Sequence, residues 1–371
     1  MVRKLAVLWT ISAMLLFSGC SRERQEEHEE PWEWELPAGF PTPRVPEFNP
    51  MTVAKVELGE VLFFDERLSR DQNFSCASCH RPELAFTDGK PRAVGSTGEV
   101  HHRGTMSLVN AAYFRSFNWA DPTTETLEEQ VLVPLFGEDP VEMGLSLENL
   151  SWLERFREDP KMVALFSRAF PEYEEPIDVE TIAMALASFQ RSLVFGDSPL
   201  DRFLSQGDSE ALSAEAQRGM ALFFSERLEC FHCHGGFNFS DDVDHEGVVF
   251  REPSFHNTGL YNIDFRGGYP PENQGLFEHT GRPEDMGRFK APSLRNIAIT
   301  APYMHDGSIE TLEEVIDHYA AGGRRIHEGP YAGDGSLNPY KSLFLVGFRL
   351  NAQERADLLA FLTALTDEAF Q

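Results

Sequence analysis

The feature that most restricts what this chain can fold into is a Cys-x-x-Cys-His pattern that occurs twice. Cys76, Cys79 and His80 form it in SCASCH, and Cys230, Cys233 and His234 form it again in ECFHCHGG. Three chemistries use two thiols and an imidazole at this spacing: half of a zinc site, a redox dithiol, or a haem held by two thioether bonds with the histidine on its iron. Zinc wants four ligands and a redox dithiol has no use for the adjacent imidazole, whereas a covalent haem takes all three groups from one turn of chain. Four of the five cysteines fall in these two constellations, so the chain reads as carrying two covalently attached haem c groups.

The fifth cysteine bears on the compartment. Arg3 and Lys4 precede an apolar run from Leu5 to Phe17, then Ser18, Gly19 and Cys20. This is a signal peptide over residues 1–19, too short for a membrane span. The small residues before Cys20 resemble a bacterial lipobox, in which that cysteine is lipidated, although Phe17 stands where Leu is more usual; ordinary cleavage is the alternative. Either way the protein is exported, and an acylated Cys20 would anchor it to a membrane without a transmembrane helix. Residues 20–50, with Pro31, Pro37, Pro41, Pro43, Pro46 and Pro50, read as a proline-rich tether, with an ordered arm packed on the body left open. The 32 basic and 60 acidic residues give a net charge of -28, which repels phosphate backbones and argues against nucleic acid as a partner.

Two segments align without gaps: LGEVLFFDERLS from Leu58 and RGMALFFSERLE from Arg218, each just upstream of a haem motif. A repeat held in the same relation to a cofactor motif predicts two domains on one plan, residues 51–200 and 208–371. In the second copy Ser213 is an N-cap, with Met220, Phe223 and Phe224 at helical spacing to wall a haem. Val179 to Val194 puts Ile182, Leu186, Phe189 and Leu193 on one face, and the C-terminal segment opens on an Asn351/Glu354 capping box with a stripe of Leu358, Phe361, Leu362 and Leu365. Gly, Pro and charged residues between Gly196 and Ser213 read as a linker. Strand-like alternation is scarce, so the fold class is all-α: two cytochrome c-like haem domains with long loops.

The segments LGEVLFFDERLSRDQNFSCASCH, AFTDG, TLEEQVLVPLFGEDPVEMG, ECFHCHGG, FHNTGLYN and RFKAPSLRNIAITAPYMHDGSIETLEEV together resemble the bacterial di-haem cytochrome c peroxidase and MauG superfamily. HHRGTMSLVNAAY, NWADP and HYAAGGR look closest to MbnH-type members. The resemblance implies a periplasmic enzyme that uses hydrogen peroxide to reach a high-valent di-haem state and oxidises a tryptophan residue on a partner protein. The alternative it leaves open is a cytochrome c peroxidase that reduces peroxide to water with electrons from a small donor protein.

It also implies roles. His80 and His234 would each be the proximal ligand of their own iron. Tyr319 occupies the place where the peroxidases carry an axial Met and MauG an axial Tyr; by periodicity alone it is an ordinary core aromatic on the Thr311-capped helix. A phenolate there would favour ferric and higher states. Glu142 matches the catalytic glutamate and Gln130 its companion, although the Gln130–Glu142 spacing is two residues longer than usual. Trp119 matches the tryptophan between the haems, in WADP rather than the usual WDGR. The family's switching histidine is replaced at about Ser96, which implies an open site at the first haem; His101 and His102 read as a solvated loop pair. A calcium ion is implied between the haems on Thr300 and Pro302 carbonyls, with Gly104 standing where the family has its Asn ligand.

Overall fold

The computed structural model describes residues 30–250 and 252–371; the expected signal peptide and Cys20 lie outside them. Helices carry the architecture. The sole sheet among the described residues is a pair of two-residue strands, Arg325–Ile326 and Gly333–Asp334.

Each half is built around one pair of crossing helices. In the first, the helix Val53–Phe63, capped by Thr52 accepting from the Lys55 N–H, crosses the helix Val179–Ser192, which opens on an Asp178/Thr181 capping box. In the second, Ala214–Phe223, capped by Ser213, crosses Ala352–Thr363, capped by Asn351 with Glu354. The repeat explains why both crossings are so close. A Cβ at Gly59 would lie 2.0 Å from the Ala185 carbonyl oxygen, and one at Gly219 would lie 1.9 Å from that of Asp357. A mid-helix glycine costs about 1 kcal/mol of helix propensity; here it lets two backbones touch.

The duplicated Phe-Phe divides its labour identically in both copies. Phe63 and Phe223 are buried, whereas Phe64 and Phe224 are 48% and 43% exposed. Each buried phenylalanine joins its own core, with Phe189 and Leu186 in the first half and Phe361 and Leu358 in the second. The predicted apolar faces, Ile182/Leu186/Phe189/Leu193 and Leu358/Phe361/Leu362/Leu365, are all buried.

Two organisational readings change. Residues 30–50 are no free tether: they lie as a strap across both halves. Trp32 N–H donates to the Met51 carbonyl, the Phe40 ring meets Phe237 with centroids 4.9 Å apart, and Arg44 pairs with Asp244 at 3.2 Å. Prolines that leave few amide donors are compatible with this arm because its polar anchors are side chains, such as Asn49 Nδ2 donating to Glu128 Oε1 at 2.6 Å. The segment read as a linker contains the helix Pro199–Ser205, so a boundary at residue 200 cuts an element. Its Ser198 cap and first-turn proline are helix-start residues that composition alone mistakes for a loop. Leu200 joins the second core, and Asp201 takes a two-pronged hydrogen bond from buried Arg295 at 2.8 and 2.9 Å.

Two haem pockets sharing a tryptophan

The two motifs end in the same local device. The Nδ1 of His80 bonds the Phe86 carbonyl at 3.0 Å, and that of His234 bonds the Phe239 carbonyl at 3.1 Å. A carbonyl only accepts, so Nδ1 carries the proton and the Nε2 lone pair remains for a metal. Both acceptor residues are phenylalanines at positive φ, 59° and 50°, a conformation a bulky side chain adopts rarely. Burial pushes both imidazoles below their ordinary pKa, keeping them in the neutral, ligating form. All four motif cysteines face a cavity with their histidine, and none is tied up in a disulfide. The donor set thus fits one thioether-bound haem per cavity.

The first cavity is lined by Cys76, Cys79 and His80 and, among others, by Gln130, Glu142 and His101. Gln130 projects from the helix Leu127–Phe136, and its Oε1 is buried without a hydrogen-bond partner. Between Gln130 and Glu142 the chain makes a tight turn closed by a Glu138–Val141 bridge. Glu142 is then held from behind: Ser96 N–H donates to its carbonyl at 2.7 Å, and Gly95 packs so closely that a Cβ would sit 1.9 Å from the Val141 oxygen. Ser96 therefore braces the glutamate through its backbone. Burial pushes the Glu142 carboxyl up to about 7.

His101 departs from the solvated-loop reading: it lines this cavity, with Nε2 3.6 Å from Glu142 Oε1. The loop that carries it is tied over Val141, whose N–H donates to Glu99 Oε2 at 3.0 Å, a contact that residue spacing does not signal. Sequence reasoning also passed over the Phe86 and Phe239 carbonyls.

The second cavity is lined by Cys230, Cys233 and His234, and by Tyr319 from the helix Leu312–Ala320. Burial, with Cys233 and Cys230 nearby, raises the Tyr319 phenol above its ordinary pKa. Trp119 lines both cavities. Its indole N–H donates to the Gly104 carbonyl at 2.9 Å, and its own carbonyl accepts from Lys290 N–H. Thr300 and Pro302 line a third cavity next to Trp119, together with Gly104, Asp88 and Thr105.

Residues 53–210 match the family described as di-haem cytochrome c peroxidase. The chain is 38% identical over 325 residues to the methylamine utilization protein MauG of Methylorubrum extorquens, covering 87% of this chain and 81% of that one. This chain belongs to the di-haem cytochrome c peroxidase and MauG family. The cytochrome c551 peroxidase of Pseudomonas aeruginosa is 30% identical over 72% of both chains. Among solved structures, a MauG-like protein associated with microbial copper homeostasis superposes with a TM-score of 0.89 at 50% identity, over 92% of this chain and 99% of that one.

As a member of the family the protein is a peroxide-dependent, peroxidase-type oxidoreductase with two haem c groups. Its relatives include both MauG-type proteins and cytochrome c peroxidases. Among the described residues no helix is long and apolar enough to cross a membrane.

Proposed function

We propose that this enzyme spends the oxidising power of hydrogen peroxide on a tryptophan residue of a partner protein, in the manner of MauG and MbnH-type members. The observation that carries this reading is that Tyr319 and His234 line the same pocket. Tyr319 would offer a phenolate to a haem held there, and such a ligand would favour oxidised states, where the neutral thioether of a cytochrome c peroxidase would favour the reduced one. When bound, the two haems supply peroxide reduction and hold the oxidising equivalents. Glu142 moves a proton between the two peroxide oxygens, a role that suits a carboxyl group held near neutral pKa. Gln130 orients the bound peroxide beside it. Trp119 lies where it can pass charge between the two irons.

Calcium is part of the same proposal. Thr300 and Pro302 share their cavity with two hard oxygen donors, Asp88 Oδ2 and Thr105 Oγ1, both buried without a hydrogen-bond partner, and calcium takes such oxygens. We place the protein in the periplasm, anchored through a lipid on Cys20, with the modified partner in the same compartment.

Stopped-flow mixing of the di-ferric protein with peroxide tests the reading. It expects a long-lived oxidised spectrum, and a Tyr319→Phe variant whose resting spectrum at the second haem differs from wild type. Rapid turnover with reduced cytochrome c and no persistent oxidised state would instead make the protein a cytochrome c peroxidase.

A further inference from the structure

Trp119 is the inner end of a row of aromatic rings that the reaction at the haems does not need. The His305 ring lies 6.5 Å from Trp119, centroid to centroid, and stacks face to face on Phe289 at 3.6 Å. Tyr269 follows, 6.5 Å from His305, then Tyr261 at 5.4 Å from Tyr269 and Tyr331 at 5.8 Å from Tyr261. Tyr269, Tyr261 and His305 are buried, whereas Tyr331 is half-buried and its hydroxyl reaches an exposed carboxylate, Glu272. The row therefore runs from the wall shared by the two haem pockets to solvent.

Its hydrogen bonds change along the way. Tyr269 donates to the Asn257 amide oxygen at 2.9 Å, a group that cannot take a proton at neutral pH. Tyr261 donates to Asp306 Oδ2 at 2.6 Å, within the charge-assisted range, and Tyr331 donates to Glu272 Oε1 at 2.8 Å. Burial opposes ionisation of Asp306, but His305 and the hydrogen bonds from Tyr261 and Ser308 outweigh it and hold the carboxyl below its ordinary value. Oxidised phenols are strong acids, so a tyrosine gives up an electron readily only where its proton has somewhere to go. The two outer tyrosines have that acceptor and the inner one does not.

We propose that Tyr269, Tyr261 and Tyr331 form an electron-transfer relay through which a partner docked over Tyr331 delivers electrons to the haem pockets. The inference rests on the reading that a partner protein is oxidised at a distance, and adds the route. Tyr331 passes one electron inward by way of Tyr261 and Tyr269 while its phenolic proton moves to Glu272, leaving a neutral tyrosyl radical. The partner's aromatic residue then supplies one electron, and Tyr331 recovers its proton from Glu272. Two such transfers provide the two electrons that, with two protons, reduce one hydrogen peroxide to two waters. Tyr269 is a stepping stone, and Tyr261 and Tyr331 are where the radical rests. Three short steps outrun a single long one because tunnelling falls off exponentially with distance.

The test uses the haem-loaded full chain mixed with hydrogen peroxide and no partner, followed optically and by freeze-quench electron paramagnetic resonance. The wild type is expected to show an organic-radical signal whose hyperfine structure collapses when tyrosines are ring-deuterated. Tyr261→Phe, which keeps the ring and removes only the hydroxyl, is expected to abolish that signal and slow decay of the oxidised haem spectrum about tenfold, with its rate of formation unchanged. Tyr331→Phe is expected to confine the signal to Tyr261. If the oxidised spectrum forms but both variants give wild-type radical signals and decay rates, the relay is overturned and the proposed function stands. If the wild type forms no oxidised spectrum at all, both fall.

Discussion

Glu142 and His101 face each other in the first pocket, with Oε1 3.6 Å from Nε2. That gap exceeds a hydrogen bond, yet the surroundings prepare the pair for one. Arg103 N–H donates to His101 Nδ1 at 3.1 Å, which leaves the imidazole proton on Nε2, toward the carboxylate. Burial, reinforced by Arg103 and His102, pushes His101 down to about 4, while burial pushes Glu142 up to about 7. At neutral pH the site therefore holds a neutral imidazole beside a carboxyl group near its midpoint.

The reaction with peroxide is accordingly expected to slow as pH falls through about 7, because Glu142 must be ionised to accept the first proton. Glu142→Gln should lower the second-order rate constant by about 100-fold or more at every pH and abolish this limb. His101→Leu removes a polar neighbour and should shift the limb to higher pH while leaving the maximum rate intact. Stopped-flow pH profiles of the three proteins check this. The same shift has a sign for stability: the folded carboxyl binds its proton more tightly than the unfolded one. Its contribution is complete below the ordinary carboxylate value and is lost as pH rises through about 7.

Trp119→Phe keeps an aromatic wall between the pockets but removes the indole and its bond to the Gly104 carbonyl. The expected outcome is decoupling: peroxide alters the absorption of the first haem promptly, while the change at the second lags behind. Simultaneous changes at both haems in the variant would remove Trp119 from the charge-sharing role.

Gly219→Ala places a methyl group where the Asp357 carbonyl oxygen already sits. The two helices of the second half must separate, at a cost of about 1–3 kcal/mol. A lowered thermal midpoint of the haem-loaded protein is the readout, and Gly59→Ala should reproduce it in the first half.

Glu128 and Arg191 pair at 3.0 Å with almost no exposure, and Asn49 of the strap completes the bond set. Glu128→Gln leaves the guanidinium buried without its counter-charge, a loss of about 3–5 kcal/mol. Denaturant unfolding should report it, together with faster proteolysis of residues 30–50.

The helices and their cores were legible in the sequence because capping residues and apolar periodicity are local signals: Thr311 with Glu314, or the Leu358–Leu365 stripe, needs no knowledge of the rest of the chain. The haem motifs were legible for the same reason. His101 was not, because its role depends on a loop folding back over Val141, a contact set by Gly95 and invisible in spacing. The strap was misread because proline suggests an extended chain, whereas Phe40, Arg44 and Asn49 supply anchors that only the folded body can receive. A second repeat lay in plain view: SLVNAAY from Ser107 and SLRNIAI from Ser293 each place an asparagine at positive φ, Asn110 and Asn296, which accepts a backbone N–H from Phe195 or Asp367. Its meaning emerges only when both copies are seen clamping the end of their own half.

The twin phenylalanine carbonyls behind His80 and His234 carry a consequence for how such a molecule diversifies. Since each iron would be gripped from the rear by the same hardware, down to a left-handed Phe, inequality between the two centres has to be authored from the front. A lineage can then retune one centre by rewriting a loop or a single helix position, with the duplicated grip left untouched.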